Sequence, residues 1–224
     1  MADNSWFTLG YVRDHSDVVL SRLGEHVQLT LTAIVLGALL SFPLALLARR
    51  GRAAEVAVIG GEGVLYSVPS IALVTVLIPL NHYGFGLTKT SVITMLTAYT
   101  LLIITRNTLS GLQGVPPEVV EAARGMGYSR TAILLRVELP LALPVIAAGL
   151  RIATVSTVSL VTIGAFLGYG GLGTLILEGF SSGTPDRAKI MTAMVLCVLL
   201  ALVADLGVLL AVRLATPWQR RSRA

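Results

Sequence analysis

The chain has 224 residues, of which 54% are apolar and only 13% charged, with a net charge of +5 and a mean hydropathy of +0.81. A soluble domain carries about 25% charged residues, so this chain lacks the polar groups to cover a globular surface and calls for a bilayer. Most basic residues lie in short segments between apolar runs, which reads as a membrane-topology signal and excludes a nucleic-acid partner.

Residues 1–25 form a mixed, polar N-terminal segment. They show no basic stretch followed by a short apolar core, so no cleavable signal is expected and the first span serves as its own insertion signal. Five apolar runs then follow, each long enough to cross about 30 Å of hydrocarbon. The first runs from Val27 to Ala48. The second runs from Val56 to Leu80 and contains Glu62. The third runs from Leu87 to Thr105, the fourth from Leu141 to Leu167 with Arg151 inside it, and the fifth from Ile190 to Val212 with Asp205 inside it. Helices are expected, because isolated strands would leave backbone groups unpaired in lipid. The fold class is therefore all-α, a polytopic membrane protein with a single domain over residues 26–216 and a basic tail over 217–224.

Arg49, Arg50 and Arg52 follow the first span, Arg106, Arg124, Arg130 and Arg136 the third, and Arg213, Arg220, Arg221 and Arg223 the fifth. The other side carries Arg13, Arg22, Lys89, Arg187 and Lys189, interleaved with acids. The positive-inside rule thus places the N-terminus outside and the C-terminus in the cytoplasm.

Charge within the bilayer is costly and needs a reason. Arg151 and Asp205 fall at similar depths on consecutive spans, so an ion pair is expected, with Glu62 as a competing partner. Lining of a translocation path is the alternative role for all three. In the second span, Pro69 removes a backbone donor and bends the helix. Tyr66, Ser67 and Ser70 beside it either bond the freed carbonyls or line a path. Thr154, Ser156, Thr157 and Ser159 make the fourth span polar, suited to a subunit interface or to the same path.

Gly168, Gly170 and Gly173 formally fit a dinucleotide fingerprint, but no strand–helix unit surrounds them. They are read as a bend at the end of the fourth span, with Gly164 and Gly168 as a small-residue pair for helix packing. Neither lysine follows a glycine, so no phosphate-binding loop is present. His15, His26 and His82 are scattered, and no metal or nucleophile site is expected. Cys197 sits in an apolar run and is read as a packing residue. Trp6 and Trp218 lie outside the spans.

The longest cytoplasmic connection, residues 112–140, has structure of its own. Pro116 and Pro117 open a short helix with Glu118 in its first turn. Gly125 and Gly127 break it. Ser129 caps a second short helix through Val137, which Leu139-Pro140 is expected to end. This loop reads Glu121-Ala122-Ala123-Arg124-Gly125-Met126-Gly127, nine further residues, then Val137-Glu138-Leu139-Pro140. Small alanines let a helix sit deep in a partner's groove, and Val119, Val120 and Ala123 supply an apolar face for it.

This loop resembles the signature of bacterial ATP-binding-cassette importer permeases, Glu-Ala-Ala, three residues, Gly, nine residues, Ile-x-Leu-Pro, with Val137 in place of Ile. Further likeness covers most of residues 25–215. It includes Tyr66-Ser67-Val68-Pro69-Ser70-Ile71-Ala72, Ile104-Thr105-Arg106-Asn107-Thr108, the run from Leu139 through Arg151, and Gly168-Tyr169-Gly170-Gly171-Leu172-Gly173. Together these look like the glycine betaine, carnitine and choline uptake permeases.

The resemblance implies the type I importer permease fold in the inner membrane. It implies a coupling role for Glu121, Ala122, Ala123, Gly127, Leu139 and Pro140. The partners implied are ATPase subunits, a second permease copy or homologue, and an extracytoplasmic binding protein. No cofactor is expected in this chain, and no catalysis; ATP and Mg belong to the partner ATPase. The solute implied is a quaternary ammonium osmoprotectant, or proline, with an amino acid such as methionine as the alternative. A secondary transporter and a membrane enzyme are the other classes. Neither inverted repeats nor converging catalytic groups support them.

Overall fold

The computed structural model describes residues 9–181 and 186–216. Trp6, Trp218, Arg220, Arg221, Arg223 and the tail at 217–224 lie outside the described residues. Among those described, every regular element is helical. In chain order these are α1 (Leu9–Asp14), α2 (Ser16–Ala48), α3 (Arg52–Ser67), α4 (Ser70–Leu77), α5 (Lys89–Gln113), α6 (Pro117–Gly125), α7 (Arg130–Ile133), α8 (Leu139–Val161), α9 (Leu172–Ser181) and α10 (Arg187–Ala215).

Four helical stretches are long and apolar enough to cross a membrane by themselves: Ser16–Ala48, Lys89–Gln113, Arg130–Leu167 and Arg187–Ala215. Where the second span is expected, the structure has a bent pair of apolar helices. Arg52–Ser67 and Ser70–Tyr83 meet at a bend of 94°, sharper than a kink within one continuous helix. The cause is local: Pro69 has no N–H to donate, and its ring forces the preceding Val68 out of the helical region to ψ 129°. The Tyr99 hydroxyl donates to the freed Val68 carbonyl, and Ser67 donates back to Val64 at 2.7 Å.

Helix α5 is the central element, packing on α2, α8 and the broken span. Leu29 and Ala33 of α2, Val74 of α4, Val92, Met95, Leu96 and Tyr99 of α5, and Val161 of α8 form the main buried cluster. Two glycines let these axes approach. A Cβ at Gly37 would fall 1.9 Å from the Thr100 Oγ1, and one at Gly149 would fall 2.4 Å from the Asn107 Cβ. Helix α10 packs on α8 and α9 at the periphery, and none of its apolar window is buried.

One loop expectation is corrected. The helix after Ser129 does not stop at Leu139-Pro140. It passes through a π-turn at Leu134–Glu138 and continues as α8, where Pro140 sits in the first turn of the new segment. The π-turn changes the hydrogen-bond register just before the proline, so its missing N–H breaks no α-helical bond. The segment after the glycine bend contains α9.

Candidate functional site

Within the 112–140 connection, α6 and α7 form a knuckle. Helix α6 begins at Pro117 after Pro116 and ends at Gly125, and Gly127 takes φ +84°, a conformation that glycine adopts without a Cβ clash. The Ser129 hydroxyl accepts from the Ala132 N–H at 3.2 Å and caps α7. Glu121 and Ala122 are exposed, whereas Ala123 is 2% exposed and packs within the chain. The expected docking face of Val119, Val120 and Ala123 is therefore corrected. Val120 and Ala123 turn inward, and Val119, Ala122 and Met126 form the outward face. Their spacing of three and four residues puts them on one side of the helix and its cap.

Arg49, just beyond α2, anchors this region. Its guanidinium meets both oxygens of the buried Glu138 carboxylate, at 2.7 and 2.5 Å. The bonding to Glu138 raises the Arg49 pKa above its ordinary value. Glu138 belongs to the π-turn, so this pair fixes the end of α2 against the start of the α8 stretch. Leu139 and Pro140 continue from it as the first residues of α8. Between the knuckle and the end of α2 lies a cleft of about 470 Å³, with arginines on several of its walls.

Within the spans, Arg151 of α8 and Asp205 of α10 form a two-pronged pair, Nε to Oδ1 and Nη2 to Oδ2, both at 2.7 Å. The competing partner, Glu62, lies elsewhere. It is the one buried residue of α3; its Oε1 accepts from the Thr105 hydroxyl at 2.7 Å, and its Oε2 has no hydrogen-bond partner among the described residues. Tyr66 is exposed next to the break, with its ring 5.4 Å from that of Tyr99. Ser67, Pro69 and Ser70 form the break itself. Thr154 and Thr157 are buried, and their hydroxyls donate to carbonyls of their own helix, Leu150 at 2.8 Å and Ala153 at 2.7 Å. The structure thus gathers Glu62, Tyr66, Ser67, Pro69 and Ser70 along one broken span, while Arg151 and Asp205 stand together on the α8–α10 side.

The glycine bend after the fourth span has Gly168 at φ +83° and Gly171 at φ +52°. Of the small-residue pair, Gly164 abuts Val92 and the Tyr169 carbonyl, whereas a Cβ at Gly168 would meet no described residue within 4 Å. The bend also involves a residue that sequence reading treated as scattered. His26 is fully buried; its Nε2 lies 2.9 Å from the Val158 carbonyl and its Nδ1 accepts from the Leu172 N–H at 3.3 Å. A donor at one nitrogen and an acceptor at the other describe the neutral ring. The only sequence signal was a histidine one residue before the apolar run of α2.

Residues 33–221 match the family described as the binding-protein-dependent transport system inner membrane component. The osmoprotectant import permease protein OsmW of Salmonella typhimurium is 38% identical over 199 residues, covering 88% of this chain and 92% of that protein. The glycine betaine/carnitine/choline transport system permease protein OpuCB of Bacillus subtilis is 32% identical, and the choline transport system permease protein OpuBB of the same organism 33% identical. Each alignment covers 92% of this chain and 93% of the relative. Among solved structures, an inward-facing conformation of the MetNI methionine ABC transporter superposes with a TM-score of 0.81 at 23% identity, over 91% of this chain and 98% of that one. That likeness is one of fold, the type I importer permease. With the broken span, the exposed knuckle and matches of this extent together, the chain belongs to the inner-membrane components of binding-protein-dependent transport systems.

Proposed function

We propose that this chain is the permease subunit of an ATP-driven importer for a quaternary ammonium osmoprotectant of the betaine, choline and carnitine class, or proline. The observation that carries the reading is near-full-length similarity to OsmW, OpuCB and OpuBB, whose names specify osmoprotectant, betaine, carnitine and choline transport. The methionine transporter's likeness is in shape at 23% identity, and shape does not select a solute.

In this reading the N-terminus is outside, residues 26–216 form the permease domain, and residues 112–140 face the cytoplasm. The outward face of the knuckle, with Glu121 and Ala122, docks on an ATPase subunit, and Gly127 provides the turn that presents it. Ala123, Leu139 and Pro140 hold the knuckle to the α8 stretch. The chain hydrolyses no ATP of its own; ATP and Mg act on the partner ATPase. Solute arrives from an extracytoplasmic binding protein. Five spans line half of a passage, so a second permease copy or homologue completes it. Glu62, Tyr66, Ser67, Pro69, Ser70, Thr154 and Thr157 belong to the path or its immediate support, and Arg151–Asp205 holds α10 in place.

Reconstitution with the ATPase and binding protein, followed by uptake of betaine, choline, carnitine, proline and methionine, tests this. Uptake of at least one quaternary ammonium solute or of proline is expected. Uptake of methionine alone overturns the solute class. Gly127→Val is expected to abolish ATPase co-purification or transport with membrane insertion intact, and unchanged uptake removes the coupling role.

A further inference from the structure

We propose that the cleft between the knuckle and the end of α2 binds the phosphate headgroup of an anionic phospholipid. The cleft holds about 470 Å³ and is lined by Arg49, Arg50, Arg124, Arg130 and Glu138 together with aliphatic side chains. Glu138 is already committed to Arg49 through two hydrogen bonds. Among the described residues, no carboxylate pairs with Arg50, Arg124 or Arg130. Three arginines with no carboxylate partner among the described residues thus line one cavity, and each guanidinium can donate to a phosphate oxygen.

The remaining lining separates a lipid from a simple anion. Leu46 of α2 and Leu134 of the π-turn are among the cleft walls, and Leu46 lies in the last turn of a helix long and apolar enough to cross a membrane. The cleft therefore joins the edge of the hydrocarbon layer to a cluster of positive charge. A molecule with an anionic head and acyl chains matches both halves, and basic pockets at the ends of membrane helices take such headgroups. Arg124 comes from α6 and Arg130 from α7, while Arg50 follows α2. A phosphate held by all three would join the knuckle to the membrane-spanning bundle.

The test uses the purified permease–ATPase complex, analysed by native mass spectrometry after exchange into detergent containing phosphatidylglycerol and phosphatidylcholine with the same acyl chains. Preferential retention of phosphatidylglycerol is expected. Arg50→Gln with Arg130→Gln should lower it roughly twenty-fivefold, at about fivefold per lost charge, and lysine at both positions should keep most of it. Equal retention of the two lipids overturns the proposal, as does retention unchanged in the glutamine variant. Release of the lipid by millimolar inorganic phosphate identifies a free-anion site and overturns the lipid assignment. Retention by the permease alone, lost once the ATPase is bound, makes the cleft a subunit contact and also overturns it. Retention is read without any solute, so its failure leaves the transport reading intact, and a wrong solute leaves this site intact.

Discussion

At the scale of single residues, His26 has the clearest energetic consequence. It bridges the Val158 carbonyl of α8 and the Leu172 N–H of α9 from a site with no solvent access. His26→Ala leaves both backbone groups unpaired, at about 1–3 kcal/mol for each. The expected outcome is a loss of roughly 2–6 kcal/mol, read as a lower unfolding midpoint of the detergent-purified protein. His26→Gln, which can donate and accept at similar reach, should recover part of it. Glu62 behaves differently, because one of its oxygens is served by Thr105 and the other by no described residue. Glu62→Gln should retain the Thr105 bond and fold, whereas Glu62→Leu deprives the Thr105 hydroxyl of its acceptor and should lower the yield of folded protein in membranes.

At the scale of elements, the Arg49–Glu138 pair decides how the knuckle is seated. Glu138 is 6% exposed in its side chain and Arg49 33%. Removing Arg49 leaves a buried carboxylate uncompensated, and solvent at the Arg49 end screens part of that cost. Arg49→Ala should therefore destabilise by roughly 1–3 kcal/mol, whereas Arg49→Ala with Glu138→Leu should lose less, and thermal unfolding of the two distinguishes them.

The same scale shows what was legible in the sequence. The long apolar runs, the Pro116-Pro117 helix start, the Gly127 turn and the Ser129 cap were readable because each rests on a local backbone rule. The depths of Arg151 and Asp205 indicated their pairing, because depth follows from helical rise alone. The π-turn was not readable. Pro140 signals a helix end in isolation, and only the register shift over Leu134–Glu138 allows the chain to continue. The inward turn of Val120 and Ala123 was equally hidden, since an apolar face on a short helix does not declare whether its own chain or another covers it.

At the scale of the whole molecule, the helices divide into an inner set around α5 and an outer set that buries little. Helix α10 exposes Val198, Leu199, Leu202, Val203, Leu206 and Leu210, and lipid or a second permease copy must cover them. Arg151–Asp205 is the polar contact that ties this outer helix to α8, and its directional, two-pronged geometry fixes the rotation of α10 more tightly than aliphatic packing does. Asp205→Ala should lower the amount of folded protein in membranes severalfold, and exchanging the two charges, Arg151→Asp with Asp205→Arg, should restore much of it. Immunoblots of membrane fractions, with fluorescence size-exclusion profiles, measure both.

The 94° junction at Pro69 has a mechanical consequence. Backbone bonds lock an intact helix along its length, but this elbow has the Tyr99 hydroxyl on the Val68 carbonyl as its cross-link to α5. A single bond of that kind contributes about 0.5–1.5 kcal/mol net, a few times thermal energy at most. The limbs are seated separately, by the Glu62–Thr105 bond and by Val74 in the main buried cluster, so the junction itself is the weakly held point of the span. Tyr99→Phe removes the latch without touching either limb.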